Sequence, residues 1–500
     1  MPALPIRKIV ILGGGLAGWT AAAGMSNSLR GSGVSVIVVD ASTSADEPLA
    51  EYTLPATLKF FEYLGMREAD LVRETSATYR LGTEFRGWPL HAPRRLRPFG
   101  AHGANIGFIP FHHFAVRARQ AGESIDFNAF SMNAAAARRG RFAHAPPQSR
   151  GSLPGLEYGL CMDRPQCTRL LRRYALAAGV AEICSPVDGV YRRNDDGFVE
   201  SLLLSDGNSI DGELFIDCSG PQALLIGETL EIGFVDWSAS LPCNRMLTVT
   251  TGVDASLATV LRCTAAADGW MLEIPLQQRT VAGMLFAARN LNEETAIARL
   301  VTAGRLDASL RPIVTRFRNG HRVRFWDRNC IALGSAAGSV EPLIFSELHL
   351  LQNGISRLMR MFPDTACDAR VAEEFNSETR DEFENARDYL MINYSVPASR
   401  DSAFWRSACN APRSASFRRK HELFRSSGRL VSRENELFST AEWAAAWISA
   451  DLWPQAYDPL LDRMDAAQLG EHFSRMSAAI DAAATNLPTH DACLSNLLGE

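Results

Sequence analysis

The stretch that most limits how this chain folds is Ile9-Val10-Ile11-Leu12-Gly13-Gly14-Gly15-Leu16-Ala17-Gly18-Trp19. A β-branched run ends in a glycine cluster, and an alanine-rich segment of helical composition follows at once. A buried strand, a tight turn and a helix therefore succeed one another. Gly13 lets the chain turn, Gly15 leaves the backbone open to a pyrophosphate, and Gly18 lets the helix lie close on the sheet. The N-terminus of that helix faces the phosphates with its unpaired N–H groups. A second run, Val34-Ser35-Val36-Ile37-Val38-Val39, ends in Asp40, 22 residues beyond Gly18. A carboxylate at that place accepts hydrogen bonds from an adenosine ribose. The expectation is a dinucleotide site, and the alternative is a glycine-rich turn with no ligand.

With 500 residues the chain exceeds one ordinary core, so two packed regions or one enlarged domain are expected. A net charge of −5 gives no reason to propose nucleic acid or an anionic membrane as partner. No apolar run approaches the ~20 residues needed to span a bilayer. The first strand begins so early that no signal peptide is expected. Ten cysteines are scattered without C-x-x-C pairs or histidine-bearing metal spacing, which reads as reduced thiols in a cytoplasmic protein with no metal site. Only Lys8, Lys59 and Lys420 among the 51 basic residues are lysine, so chemistry that needs a primary amine has few places to occur.

Along the chain, 41–47 reads as a loop, and a helical pattern runs through Leu58, Phe61 and Leu64. Tyr79 to Trp88 alternates like a strand. Residues 89–155 are rich in Pro, Arg, Gly and Ala with weak periodicity, and are expected to form an irregular insertion carrying substrate-side loops. His112 and His113 lie there; a hydrogen-bonded or surface pair is the plain reading, and a substrate contact by His113 the alternative. Cys161 to Ala178 reads as an amphipathic helix, and strands are expected within 188–204. Leu214-Phe215-Ile216-Asp217-Cys218-Ser219-Gly220 reads as a buried strand returning to the nucleotide. Residues 243–290 read as a second, mainly β layer. The small residues around Gly334 and Ser335 suit a backbone close to a flavin. From about 345 the chain reads as mostly helical, with Trp443, Trp447 and Trp453 close together. A helical core explains that cluster as well as an aromatic-binding pocket does. No second glycine fingerprint appears, so no built-in nicotinamide site is expected.

The expected fold class is α/β (α+β): a Rossmann-like FAD-binding domain of the flavin monooxygenase type, a β-sheet layer and a mainly helical C-terminal substrate region. The expected division is 1–345 and 346–500.

Several segments carry a family resemblance. They include Gly13-Gly14-Gly15-Leu16-Ala17-Gly18-Trp19, Ala50-Glu51-Tyr52-Thr53-Leu54-Pro55, Leu214-Phe215-Ile216-Asp217-Cys218-Ser219-Gly220, Glu341-Pro342-Leu343, Phe362-Pro363-Asp364-Thr365 and Ser399-Arg400-Asp401-Ser402-Ala403-Phe404-Trp405. Over nearly its whole length the sequence resembles the flavin-dependent tryptophan halogenases. The resemblance implies FAD held by Gly13, Gly14, Gly15, Ala17, Gly18, Trp19, Asp40, Ala50, Glu51, Gly334, Ser335 and Leu343. It also implies FAD used as FADH2 with O2, a separate flavin reductase, and an aromatic substrate either free or attached to a carrier or peptide. A homodimer is compatible with it. Substrate-side positions would be His113, Trp270, Leu272 and Trp443.

At three points the sequence departs from the resemblance. The family's catalytic lysine matches Arg80, whose guanidinium, with a pKa above about 12, cannot act as a neutral amine. The family's Glu-Ser-Thr-Gly after Glu341-Pro342-Leu343 is Ile344-Phe345-Ser346-Glu347 here, so Ile344 stands at the acid. Glu347 stands where backbone would bind halide. Two like charges 4 Å apart at an effective dielectric near 20 cost roughly 4 kcal/mol, so Glu347 is expected to repel an anion and abolish weak halide binding. A shift of one helical turn would instead give Glu347 the missing acid's task. Third, Leu272 replaces the second tryptophan of Trp-x-Trp-x-Ile-Pro. The reading favours oxygenation or oxidation of an aromatic substrate, with Arg80 and Glu347 as candidate catalytic residues. The alternatives are a halogenase in which Arg80 positions hypohalous acid, and a flavin-binding protein without turnover.

Overall fold

A computed structural model describes residues 4–40, 49–90, 92, 94–144, 155–252, 257–302, 311–432 and 436–499. The loop expected at 41–47 lies outside the described residues. The chain divides into two compact units, each assembled from three segments: 1–76, 162–246 and 313–384, then 77–161, 247–312 and 385–500. The division expected at 345 is therefore corrected. Parallel strands cannot be joined by tight turns, so the chain leaves and re-enters each sheet through long crossovers.

The first unit is built on a sheet in which Lys8–Leu12 lies between Leu214–Asp217 and Ser35–Asp40, both parallel to it. Ala181–Cys184 extends one side, Cys330–Ala332 and Trp326–Asp327 the other. Ile9, Val10, Ile11 and Leu12 are wholly buried, as continuous apolar runs in parallel sheets require. Leu16–Ser28 covers this sheet with an almost uniformly buried alanine-rich face, and Arg164–Ala177 packs beside it. That second helix is capped by Asp163, which accepts from the Gln166 amide at 2.9 Å. A strand, Gly159–Asp163, precedes it, so the helix expected from Cys161 starts at Arg164 instead. The cap and the Pro165 that follows it set the boundary.

In the second unit the strands Gly82–Arg86, Leu261–Ala266, Gly269–Pro275 and Thr280–Phe286 stand side by side, with Arg94–Pro98 beyond Gly82–Arg86. This is the β layer expected within 243–290, joined by strands the sequence assigned elsewhere. The irregular insertion expected over 89–155 is corrected in part. It holds the strand Arg94–Pro98 and the helices Phe111–Gln120 and Met132–Arg138. The last of these is capped by Ser131, which accepts from Ala134 at 3.2 Å. Helices from Ala403 onward complete the unit, as the composition suggests.

Candidate active site

The glycine turn has the form a dinucleotide needs. Gly13 sits at φ +121°, where a Cβ would come within 2.2 Å of the Cys218 carbonyl oxygen. A Cβ on Gly14 would lie 2.0 Å from the Asp40 carboxyl carbon, and one on Gly18 1.7 Å from the Gly13 carbonyl oxygen. The first strand thus delivers the turn, the second delivers Asp40 against it, and the third closes it through Cys218. Helix Leu16–Ser28 begins at Gly15 with no side-chain cap and no acid in its first turn, leaving its N-terminus to a phosphate. Gly334, at φ +61°, brings the 334–336 turn against Ala17, where a Cβ would meet that of Ala17 at 2.8 Å. These features fit FAD. Trp19 is buried, with the Arg172 guanidinium 5.7 Å from its ring centroid.

Asp217 is a residue the sequence reading overlooked. Its buried carboxylate accepts from the Ser219, Leu225 and Ile226 amides at 3.0, 2.9 and 2.8 Å and so fixes the turn after the third strand. Burial pushes its pKa up; these hydrogen bonds oppose that.

The motif at 50–55 meets the segment at 341–347. The Tyr52 hydroxyl donates to the Pro342 carbonyl, and the Ser346 amide donates to the Tyr52 carbonyl at 3.2 Å. Ala50, Glu51, Leu343 and Ile344 are all buried there. Arg164 lies between two carboxylates, pairing with Glu51 and, at 3.3 Å, with Glu347. Desolvation pushes the Glu51 carboxyl up, and Arg164 and Ser346 draw it back down. The charge of Glu347, read from the sequence as a plain repulsion, is thus partly offset by Arg164. Glu347 also precedes helix Leu348–Arg360, whose dipole favours an anion at that end. It borders a small cleft that includes Gly334, Ala337, Phe345, Leu350 and Phe383, and it is the one ionisable group among the lining residues.

Of the second unit's candidates, Trp270 and Leu272 share one face of the large sheet, whereas Arg80 ends the strand Thr78–Arg80, which pairs instead with residues 159–161, and His113 and Trp443 lie on helices. Alternation places Thr83 and Phe85 on the same side, and register then sets Arg97 opposite Thr83, Cys263 opposite Phe85 and Leu272 opposite Cys263. The other face carries ion pairs, Glu84 with Arg86 and Arg94, and Glu273 with Arg262. Arg80 is buried; it donates through Nε to the Gly82 carbonyl at 3.2 Å and through Nη2 to Thr83 Oγ1 at 2.7 Å. Its guanidinium also lies 5.0 Å from the Phe99 ring centroid. Trp270 is packed among Phe85, Trp88 and Trp405 and donates to the Tyr394 hydroxyl at 3.1 Å. Trp443 lies edge-on to Tyr389 at 5.1 Å, with the Lys420 ammonium 4.6 Å from its ring centroid. His113 is buried and accepts from the Asp458 amide at 3.1 Å, while His112 bonds the Gly428 carbonyl at 2.7 Å. Burial holds His113 down at about 4, so the pair is a neutral packing element, in line with the plainer reading.

With this geometry in view, the comparisons with known proteins are decisive. The sequence profile named for tryptophan halogenase matches residues 8–466. The chain belongs to the tryptophan halogenase family. Among solved structures, BrvH, a flavin-dependent halogenase from Brevundimonas sp. BAL3, superposes with a TM-score of 0.94 at 34% identity, over 98% of this chain and 99% of that one. Xcc4156, a flavin-dependent halogenase from Xanthomonas campestris, gives 0.93 at 33% identity, over 99% and 98%. Tryptophan 6-halogenase ThaL of Streptomyces albogriseolus is 29% identical over 443 residues, covering 84% of this chain and 82% of that protein. The family uses FADH2 and O2 with halide, a small-molecule substrate and a separate flavin reductase. Among the described residues no helix is long and apolar enough to cross a membrane, and no cluster of His, Cys, Asp and Glu could hold a metal.

Proposed function

We propose that this halogenase-family protein is a flavin-dependent oxidoreductase that oxygenates an aromatic small molecule and leaves halide out of the product. The observation that carries this reading is Glu347. In a cleft otherwise lined by uncharged groups, the chain places its own carboxylate at a helix N-terminus, the position an anion would take. Arg164 is already divided between Glu51 and Glu347, so it is not free to draw a halide in. Ile344 is buried and supplies no acid, and Arg80 is fixed by two hydrogen bonds and is not a titratable amine.

Gly13, Gly14, Gly15, Gly18 and Asp40 would hold the FAD, with Ala17, Gly334 and Ser335 beside it and Ala50, Glu51 and Leu343 on the facing segment. Bound as FADH2, it supplies the electrons that activate O2. Arg80, Phe99, Leu272 and Trp443 are the second unit's candidates for holding the substrate, and the ten free cysteines suit a reducing cytoplasm.

One observation favours a second reading. Because Arg164 offsets the Glu347 charge, halide is opposed less than by a bare carboxylate, which leaves room for a halogenase in which Arg80 donates hydrogen bonds to hypohalous acid. The test is product mass spectrometry with a flavin reductase, ¹⁸O2 and a panel of indoles and phenols, run with bromide, with chloride and without halide. An oxygenated product carrying ¹⁸O, formed equally without halide, is the expected result. Robust halogenated product overturns the proposal in favour of the second reading, and bound flavin with no product at all overturns both.

A further inference from the structure

One guanidinium in the first unit serves two carboxylates. Arg164 pairs with the buried Glu51 and, at 3.3 Å, with Glu347, whose side chain is 26% exposed. Glu347 lines the same small cleft as Gly334, and the Gly334 turn packs against Ala17 at the start of the phosphate-facing helix. Glu347 also acts electrostatically on Cys218, whose carbonyl stands against Gly13. The two carboxylates and their shared cation therefore sit beside the glycine cradle. The other titratable groups packed around them take no part in this balance. Burial pushes the Cys167 and Cys218 thiols up, so both are neutral. His349, on the helix that follows Glu347, is held down at about 4 by burial and is neutral as well. Asp163 and Asp217 are committed to backbone amides.

Two carboxylates against one permanent cation leave one negative charge at this end of the cradle. FAD brings a negative pyrophosphate in both redox states. The reduced isoalloxazine adds a further anion near neutral pH, and the oxidised ring does not. An added like charge favours the protonated form of a carboxylic acid, and in a coupled pair the proton belongs to both members. Burial already raises the Glu51 carboxyl, Arg164 opposes the rise and Glu347 adds to it. We infer that Glu51 and Glu347 together take up one proton from solvent when reduced flavin occupies the cradle, so that binding of the reduced cofactor is coupled to pH. No electron moves in this step: one carboxylate and one proton become a carboxylic acid beside the bound anion. The inference rests on FAD occupying the glycine turn, and it is indifferent to whether O2 or halide supplies the added atom.

The experiment is titration of the purified full chain with reduced FAD under anaerobic conditions and with oxidised FAD in air, from about pH 7 to about pH 9. Protons are counted by isothermal titration calorimetry in buffers of different ionisation enthalpy. The parent protein is expected to take up about one proton more with reduced than with oxidised FAD, and its affinity for reduced FAD to weaken severalfold, at most about tenfold, per pH unit. Glu347→Gln and Glu51→Gln each leave Arg164 with a single carboxylate, so each is expected to abolish the extra uptake and flatten the pH dependence. A plain repulsion by Glu347 would be relieved by Glu347→Gln alone, so a folded Glu51→Gln variant that keeps the uptake overturns the inference. Glu347→Gln changes a partly exposed side chain and tests the proposal even where Glu51→Gln does not fold. Equal uptake with reduced and oxidised FAD in the parent protein also overturns the inference, as does an extra uptake that survives Glu347→Gln.

Discussion

Arg164→Met tests the charge arrangement of the first unit most sharply. The Arg164 and Glu51 side chains are 7% and 1% exposed, so the substitution leaves a buried carboxylate without its cation. Breaking such a pair from one side costs about 3–5 kcal/mol, in contrast to an exposed pair, which is worth less than about 1 kcal/mol. The cost depends on pH in a definite direction. Burial already raises the Glu51 carboxyl above its ordinary 4.5, and Arg164 is the largest influence drawing it back. Without Arg164 it moves further up. A carboxyl whose folded pKa exceeds its unfolded value binds more protons when folded, so the variant's stability declines as pH rises from about 4.5 through the folded pKa. Thermal unfolding of parent and variant at about pH 5 and about pH 8 should therefore show the larger loss at the higher pH, where Glu51 must ionise or unfold the unit. Near pH 5 the loss shrinks toward the roughly 1–2 kcal/mol of the missing hydrogen bonds. Glu51→Gln added to Arg164→Met should recover most of the loss at the higher pH, since it removes the stranded charge. A loss equal at both pH values, with no rescue by Glu51→Gln, would refute the reasoning.

Further outcomes follow from the same geometry. Gly13→Ala, forced against the Cys218 carbonyl at positive φ, should weaken FAD binding at least about tenfold by flavin-fluorescence titration; unchanged affinity would disprove the cradle. NADH or NADPH alone should reduce the bound flavin very slowly in a stopped-flow trace, and a separate reductase should restore the rate. Arg80→Lys alone should not create an efficient halogenase. Arg80→Lys combined with Ile344→Glu, Phe345→Ser, Ser346→Thr and Glu347→Gly has a better chance, and the gains should be non-additive because the elements act in series.

The nucleotide cradle was legible in the sequence because its parts are local. Gly13, Gly18 and Asp40 lie within one strand–helix–strand unit, and each glycine is needed for a close approach that only backbone can make. The Glu51–Arg164–Glu347 arrangement was not legible. Its members are 113 and 183 residues apart, and no periodicity links them. That is why Glu347 read as a bare repelling charge. The division at 345 failed for a related reason, since each sheet is completed by segments that return from far along the chain. His113 shows the opposite case: it is buried and accepts from the Asp458 amide, a contact 345 residues away that no local pattern announces. The Arg94-Arg95-Leu96-Arg97 run has the look of a solvated edge. Only the register of Thr83 against Arg97 reveals that alternate residues face a buried layer.

Arginine at position 80 takes on meaning when its hydrogen bonds are considered with its charge. A lysine at the same place could lose a proton and become a nucleophile for halogen transfer. Arg80 instead donates to Gly82 and Thr83 from the end of the strand Thr78–Arg80, which pairs with residues 159–161, and Thr83 is the residue opposite Arg97. Arg80 and Arg97 are thus both buried permanent cations. Neither can be switched off by deprotonation, and each is expensive to desolvate. The first unit, where Glu347 stands at a helix N-terminus, disfavours the one small anion that halogenation requires. Under the proposed function, Arg80 in place of a titratable lysine and Glu347 in place of an open halide site act together, and the mass-spectrometric comparison with and without halide decides whether O2 or halide supplies the atom that is added.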